Sequence, residues 1–157
     1  MDGGVPMYLV SACLLGVKCR YDGRGKQLGS LMELALKGGV IPVCPEQLGG
    51  CSTPRTPCEI KGGDGGDVLD GKCRVIGEAG KDVTQNILSG ALETLKIAYT
   101  CGVDKAILKA RSPSCGFGQI YDGSFTGTLI DGNGVTAELL QRNHIEVFTE
   151  ETFNNDL

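Results

Sequence analysis

Three short apolar runs in this 157-residue chain each end in a cysteine. YLVSAC reaches Cys13, VIPVC reaches Cys44, and AILKARSPSC reaches Cys115. In an open α/β sheet, ligands bind just beyond the carboxyl ends of the parallel strands. Strands that finish in this way are therefore expected to bring three thiols to one crevice. Three convergent thiols make a metal site with one coordination position left open.

Length and composition restrict the class of protein. A chain of 157 residues suits one domain with one core, so we predict that residues 1–157 form a single domain. No apolar run approaches the roughly 20 residues that a membrane span needs, and no secretory signal is visible. We therefore expect a cytoplasmic protein without a membrane partner. The net charge of -4 gives no general attraction to nucleic acid polymers, which leaves a small molecule as the expected partner.

The eight cysteines are interpreted as metal-binding or reactive thiols, because cytosolic reductants work against a disulfide framework. No two of them are spaced as C-x-x-C, so neither a thioredoxin-type pair nor a paired zinc ribbon is encoded locally. The single histidine, His144, lies near the end of the sequence, where we expect it to cap a helix. Sulfur-only ligation favours an iron-sulfur cluster or zinc.

Hydrophobic periodicity and turn residues predict strands alternating with helices. The strands are expected at residues 7–11, 40–43, 106–110 and 145–148, and the helices at residues 30–37, 82–101 and 134–141. Ser30 and Glu33 have the spacing of a capping box for the first helix. The Pro- and Gly-rich residues 44–67 are expected to form a long loop, followed by a small hairpin at residues 68–76.

The strongest predicted helix has Asp82 as its N-cap and Gly102 as its stop signal. Eight of its residues recur at helical spacing and are expected to face the sheet: Val83, Ile87, Leu88, Ala91, Leu92, Leu95, Ala98 and Tyr99. The order of elements predicts an α/β fold. We expect a single-domain, three-layer structure with a mostly parallel, Rossmann-like sheet of about four to five strands.

Several long blocks of the sequence carry a resemblance to a known family. SACLLGVKCRYDG, CPEQLGG with TPRTPCEI, LKARSPSCG, and FTGTLIDGNGVTAELL are similar to the signature blocks of the small bacterial 2-thiouracil desulfurase family. The similarity covers about residues 7–148, almost the whole chain. It implies an enzyme with a 4Fe-4S cluster held by three cysteines, whose fourth iron is open to take sulfur from a thiolated pyrimidine such as 2-thiouracil.

Carried onto this sequence, the resemblance implies cluster ligands at Cys13 in SACLLG, Cys44 in CPE, and Cys115 in SPSCG. These are the same thiols that the strand ends select. An open iron is a soft Lewis acid that prefers sulfur over oxygen or nitrogen. We expect a cluster with an exposed iron to be lost in air, which would leave an empty or zinc-filled site in an aerobically purified sample.

The resemblance also suggests catalytic groups and a reaction. Glu46 in CPE is implied as the acid or base, and a serine of SPSC, Ser112 or Ser114, as a proton-handling partner. The implied reaction is a non-redox hydrolysis, in which a thiocarbonyl becomes a carbonyl and sulfide is released. A thiolated nucleobase or a related small thioamide is the implied substrate.

Each assignment has a less specific alternative. A cysteine often behaves as a small buried hydrophobe, and we give Cys73 and Cys101 that role. Three further thiols are candidates for a fourth ligand or a sulfide acceptor: Cys19, Cys51 and Cys58. Glu46 also fits an exposed loop carboxylate, and the two serines fit ordinary turn hydrogen bonds. Three cationic side chains fit either the orientation of a planar heterocycle or a solvated surface: Arg55, Lys109 and Arg111.

Two other classes of function use the same thiols. The first is a non-enzymatic metal-binding or cluster-binding module, which has no need of Glu46 or of a substrate pocket. The second is a sulfide carrier or sulfur transferase, in which a loop thiol such as Cys51 acts as the acceptor.

Overall fold

A computed structural model describes residues 6–153 of the chain. Eight strands, five α-helices and one 3-10 turn follow one another within these residues. In chain order they are β1 (Tyr8–Ser11), the 3-10 turn (Ala12–Leu15), α1 (Gly29–Leu36), β2 (Val40–Val43), α2 (Pro45–Leu48), β3 (Cys58–Lys61), α3 (Gly65–Leu69), β4 (Arg74–Gly77), α4 (Thr84–Cys101), β5 (Lys105–Leu108), β6 (Gln119–Tyr121), β7 (Leu129–Asp131), α5 (Val135–Arg142) and β8 (Glu146–Thr149).

Four parallel strands form the central sheet in the order β2-β1-β5-β8. Strand β1 pairs on both sides, with Ser11 opposite Val43 of β2 and Val10 opposite Ile107 of β5. All four residues of β1 are buried, as expected for a strand covered on both faces. The predicted mostly parallel α/β sheet is confirmed, and the carboxyl ends of β1, β2 and β5 meet at one edge.

Side chains of the central sheet alternate between two apolar clusters, because successive strand residues point to opposite faces. Leu9 and Ala106 pack in a cluster with Ala98 of α4 and Leu140 of α5. On the other face, a second cluster joins strand residues to helix α1: Tyr8, Val10 and Ile107 with Leu31 and Leu34. The sheet therefore lies between two helical layers, and the predicted three-layer arrangement is confirmed.

Two antiparallel strand pairs flank the carboxyl edge of this sheet. Strand β3 pairs with β4, and β6 pairs with β7. Both pack on a third apolar cluster that contains Ile60 of β3, Val75 of β4, Ile120 of β6, and Ile87 of α4. Within residues 6–153, none of the helices combines the length and hydropathy that a membrane span requires.

The long loop expected at residues 44–67 is wrong, because this stretch contains α2, β3 and the start of α3. The hairpin expected around residues 70–71 is wrong as well. Asp64 instead caps α3, its side chain accepting a hydrogen bond from Asp67 N at 3.1 Å while Asp67 Oδ2 accepts one from Asp64 N at 3.1 Å. These two hydrogen bonds stabilise a helical turn where the sequence indicated a β-turn. Strand β4 pairs instead with β3, which precedes α3.

The predicted helix signals are partly confirmed. Gly102 ends α4 in the left-handed conformation at φ 68. His144 has φ 64 two residues after the end of α5, directly after the C-cap Asn143. The capping box at Ser30 and Glu33 is wrong, since α1 already begins at Gly29 and its N-cap makes no side-chain bond.

The predicted apolar face of α4 is too wide. Leu92 and Tyr99 are 59% and 61% exposed. The buried stripe consists mostly of small residues, including Gly90, Ala91 and Ala98, which let neighbouring elements approach the helix closely.

Helix α2 packs on α4 backbone to backbone. A Cβ on Gly90 would overlap the carbonyl oxygen of Pro45, and one on Gly49 would overlap that of Asn86. The Asn86 side-chain amide donates to Gly49 O at 2.9 Å across the same contact. Only glycine at both positions allows this approach, which fixes α2 beside the carboxyl end of β2.

We expect Gly90→Ala to lower the free energy of unfolding by about 1–3 kcal/mol, because the added methyl group forces the two backbones apart. Chemical denaturation of the variant and the unaltered protein measures this difference. Gly29→Ala is the matched control, since Gly29 lies in α1 with open space around it. It should leave stability unchanged or raise it by up to about 1 kcal/mol. Equal stability of the Gly90 variant would contradict the backbone contact.

Candidate functional site

A cavity of about 410 Å³ opens at the carboxyl edge of the central sheet. Its walls come from the ends of β1, β2 and β5, from β3, and from the β6–β7 hairpin. The volume lies in the range of ligand-binding pockets, roughly 300–1,000 Å³. The cavity is therefore large enough for a small heterocycle beside an inorganic group.

The three cysteines at the strand ends all line this cavity. Cys13 lies in the 3-10 turn that follows β1, and Cys44 lies between β2 and α2. Cys115 lies in the segment that joins β5 to β6. Cys13 and Cys115 are buried and Cys44 is half-buried. The structure thus brings the three thiols to one cavity. Their role as ligands stays a prediction.

Ser11, which the sequence analysis did not single out, holds the wall around Cys115. Its hydroxyl donates to Cys115 Sγ at 3.5 Å and accepts from Lys109 N at 2.9 Å. Ser112 Oγ accepts hydrogen bonds from the amides of Ser114 and Cys115, each at 3.0 Å. The sequence signal for Ser11 was a polar residue at the last position of a predicted apolar strand, and the structure buries it.

Cys19 adds a fourth thiol to the cavity wall, and it is only 2% exposed. Cys44 Sγ donates to Cys19 O at 3.7 Å. A hydrogen bond with the Cys13 side chain raises the pKa of Cys19 to about 11. The hydrogen bond with Cys19, together with burial, raises the pKa of Cys44 well above its ordinary value.

The remaining thiols separate into two groups. Cys58 of β3 lines the cavity, and burial raises its pKa to about 12. Burial likewise raises the pKa of Cys115 to about 12, against the opposing effect of the Ser11 hydroxyl. Cys51 is half-buried against the third apolar cluster, and Cys73 is buried in that cluster, as predicted. Cys101 is exposed at the end of α4, so the buried role predicted for it is wrong. The structure thus gathers five thiols at the cavity and leaves three outside its lining.

The donor set fits an iron-sulfur cluster. Thiolates are the ligands that such clusters use, and each thiolate binds a different iron. Within the part of the chain that the structure describes, no three His, Cys, Asp or Glu side chains are grouped closely enough to hold a single metal ion. A cluster does not require that closeness. Cys13, Cys44 and Cys115 follow three different strands and line one cavity, an arrangement that fits a group of several metal atoms.

Glu46 lies in the first turn of α2 and lines the same cavity. Its Oε2 accepts a hydrogen bond from Arg55 Nε at 3.0 Å, and the two side chains are 16% and 10% exposed. Arg55 Nη2 also donates to Cys19 O at 3.0 Å. Arg55 therefore links the carboxylate to the segment that carries Cys19, and it is an organising group of the site.

The two serines of SPSC occupy different environments. Ser112 lines the cavity, whereas Ser114 is fully buried with its Oγ 2.8 Å from Thr136 Oγ1. A hydroxyl offers one donor and two acceptor sites. Ser112 Oγ accepts two amide hydrogen bonds, and neither of them uses the hydroxyl proton.

Lys109 and Arg111 also line the cavity, and each is paired with a carboxylate from the end of the described chain. Lys109 Nζ lies 3.1 Å from Glu150 Oε2, and Arg111 Nη2 lies 2.6 Å from Glu151 Oε2. Arg111 has a positive φ of 70, which bends the backbone sharply as the chain leaves β5. These pairs fix the wall between β5 and Cys115.

Known proteins are similar to this chain over almost its whole length. The family model described as 2-thiouracil desulfurase matches residues 8–152. The uncharacterized protein YbbK of Bacillus subtilis (strain 168) is 44% identical over 151 residues, which cover 96% of this chain and 100% of YbbK. A solved structure of the 4Fe-4S-dependent thiouracil desulfidase TudS superimposes with a TM-score of 0.83 at 40% identity, over 93% of this chain and 91% of TudS. This chain belongs to the 2-thiouracil desulfurase family.

Proposed function

We propose that this protein is an iron-sulfur-dependent desulfurase that hydrolyses the thiocarbonyl of a thiolated pyrimidine, such as 2-thiouracil or a related small thioamide. Membership of the family and the likeness to TudS support an enzyme of this type. One observation carries the proposal: three strand-end thiols and the carboxylate of Glu46 line a single cavity.

Cys13, Cys44 and Cys115 would hold a 4Fe-4S cluster by three of its irons. When bound, the cluster would supply an iron without a protein ligand, a soft Lewis acid suited to polarise the thiocarbonyl and to take its sulfur. Ser11 and Ser112 keep the segment around Cys115 in place through the hydrogen bonds of the cavity wall.

Glu46 acts as the general base in this proposal. Arg55 holds the carboxylate in one orientation, and Glu46 takes a proton from the water that attacks the thiocarbonyl carbon. The carbon–oxygen bond forms, the carbon–sulfur bond breaks, and the sulfur leaves with two protons as hydrogen sulfide. Water supplies the oxygen and both protons, so the reaction needs no electron donor or acceptor.

We assign the second proton-handling role to Ser112 in preference to Ser114. Ser112 lines the cavity, while the Ser114 hydroxyl is engaged with Thr136 in the buried interior. With both acceptor sites occupied by amides, the Ser112 hydroxyl acts as a hydrogen-bond donor, and in this proposal it donates to the departing sulfur.

A cytoplasmic location is part of the proposal. All eight cysteines are free thiols in the structure. A reducing compartment keeps such thiols available for cluster assembly, whereas an oxidising one favours their pairing.

We expect Cys13→Ser, Cys44→Ser and Cys115→Ser each to reduce cluster uptake strongly, because a hydroxyl is a poor replacement for a thiolate at iron. Anaerobic reconstitution, followed by iron and acid-labile sulfide analysis, measures the uptake per chain. Cys101→Ser is the matched control, since Cys101 is exposed and far along α4 from the cavity wall. Full uptake by any of the three variants would remove that cysteine from the ligand set.

Glu46→Gln should lower the turnover of 2-thiouracil to uracil by roughly 10²–10⁴-fold, the usual contribution of a general base, while cluster content stays unchanged. Anaerobic assays of the reconstituted protein, with uracil and sulfide quantified, measure this effect. Glu33→Gln provides the control, because Glu33 is exposed on α1. Normal turnover in the Glu46 variant would remove the carboxylate from the mechanism. An intact cluster without any turnover in the unaltered protein would favour a cluster-binding module.

A further inference from the structure

Glu59 is a buried carboxylate in the cavity wall that the proposed mechanism does not use. It is the second residue of β3 and only 8% exposed. Among residues 6–153 no lysine or arginine forms a salt bridge with it. A carboxylate removed from water in this way needs hydrogen-bond donors, because burial of an unpaired charge is costly.

One oxygen of Glu59 has its donors. Oε1 accepts hydrogen bonds from Gly123 N at 2.9 Å and from Phe125 N at 3.1 Å, both at the tip of the β6–β7 hairpin. Gly123 has φ 94, and a Cβ at that position would collide with Ile60 O. The hairpin tip therefore rests directly on β3, and the carboxylate is fixed in one orientation.

The other oxygen of Glu59 lacks a partner. In the described part of the chain, no group donates a hydrogen bond to Oε2, and this atom is not sealed inside the protein. Since Glu59 lines the cavity, Oε2 is an oriented acceptor open to whatever occupies that space. Two aromatic residues, Phe125 and Tyr121, line the same space, and aromatic side chains are suitable partners for a planar ring.

We propose that Glu59 Oε2 accepts a ring N–H of the thiolated pyrimidine and thereby determines specificity and orientation. The inference rests on the proposed function and identifies how its substrate is recognised. In a pyrimidine of the 2-thiouracil type, ring N–H donors flank the thiocarbonyl. A charged acceptor attracts an N–H and repels a carbonyl oxygen or an unprotonated ring nitrogen, so it selects one ring edge and one tautomer.

The expected discrimination follows from the asymmetry of buried hydrogen bonds. A site that accepts a hydrogen bond from an N–H binds an analogue without this group much more weakly. The buried acceptor then has neither the ligand nor water as a partner. Methylation of the ring nitrogen that faces Glu59 removes the donor and adds bulk at the same point. One of the two mono-methyl isomers should therefore bind much more weakly than the other.

The test is binding of uracil, 1-methyluracil, 3-methyluracil and 1,3-dimethyluracil to the anaerobically reconstituted protein, measured by isothermal titration calorimetry. The unaltered protein should bind uracil and discriminate between the mono-methyl isomers. Glu59→Gln keeps an oxygen for the two hairpin amides but replaces the open acceptor with a donor. It should weaken uracil binding roughly ten- to hundredfold, as for loss of a charged hydrogen bond, and reduce the discrimination. Glu33→Gln should leave both unchanged.

Three results would overturn the inference: no uracil binding by the unaltered protein, equal binding of the mono-methyl isomers, or an equal loss for all four compounds in Glu59→Gln. The last result would show that Glu59 only supports the hairpin. Because uracil contains no sulfur, these measurements do not depend on desulfuration. A protein that binds uracil as described but never releases sulfide would refute the proposed function and leave the role of Glu59 standing.

Discussion

The site depends on the parallel pairing of β1 with β2 on one side and β5 on the other. In a parallel sheet, neighbouring strands end at the same edge. Residues that follow these strands therefore lie close together even when they are far apart in the sequence. Cys13 and Cys44 lie within two residues of their strands and Cys115 within seven of Leu108. The backbone hydrogen bonds between these strands thus bring the segments that carry the three thiols to one edge of the sheet.

The surroundings of the cavity thiols control how readily they ionise. A hydrogen bond with the Cys19 side chain is the main cause of the raised pKa of Cys44. Burial in a poorly solvated space disfavours the thiolate form and raises the pKa values of Cys58 and Cys115. A cationic inorganic group relieves that penalty, because it supplies the positive charge that thiolates require. Arg55 provides a positive charge at the same cavity, where it balances Glu46. The cavity therefore combines buried thiols with an ion-paired carboxylate.

Sequence analysis predicted the central sheet, the long helix and the three strand-end cysteines, because these depend on local apolar periodicity and on the geometry common to parallel sheets. It could not predict α2, β3 and α3, each only four or five residues long and stabilised by partners elsewhere. Glu59 illustrates the limit most clearly. Its hydrogen-bond partners are 64 and 66 residues away along the chain, so no pattern around Glu59 indicates that it is buried.

The glycine contact between α2 and α4 has a mechanical consequence. Side-chain interfaces absorb small displacements by changing rotamers, but two backbones in direct contact have no such compliance. Bending or sliding of the 18-residue helix α4 is therefore transmitted undamped to the single turn that carries Glu46. Glu46 shares the stiffness of the longest helix in the described chain, although it lies on one of the shortest.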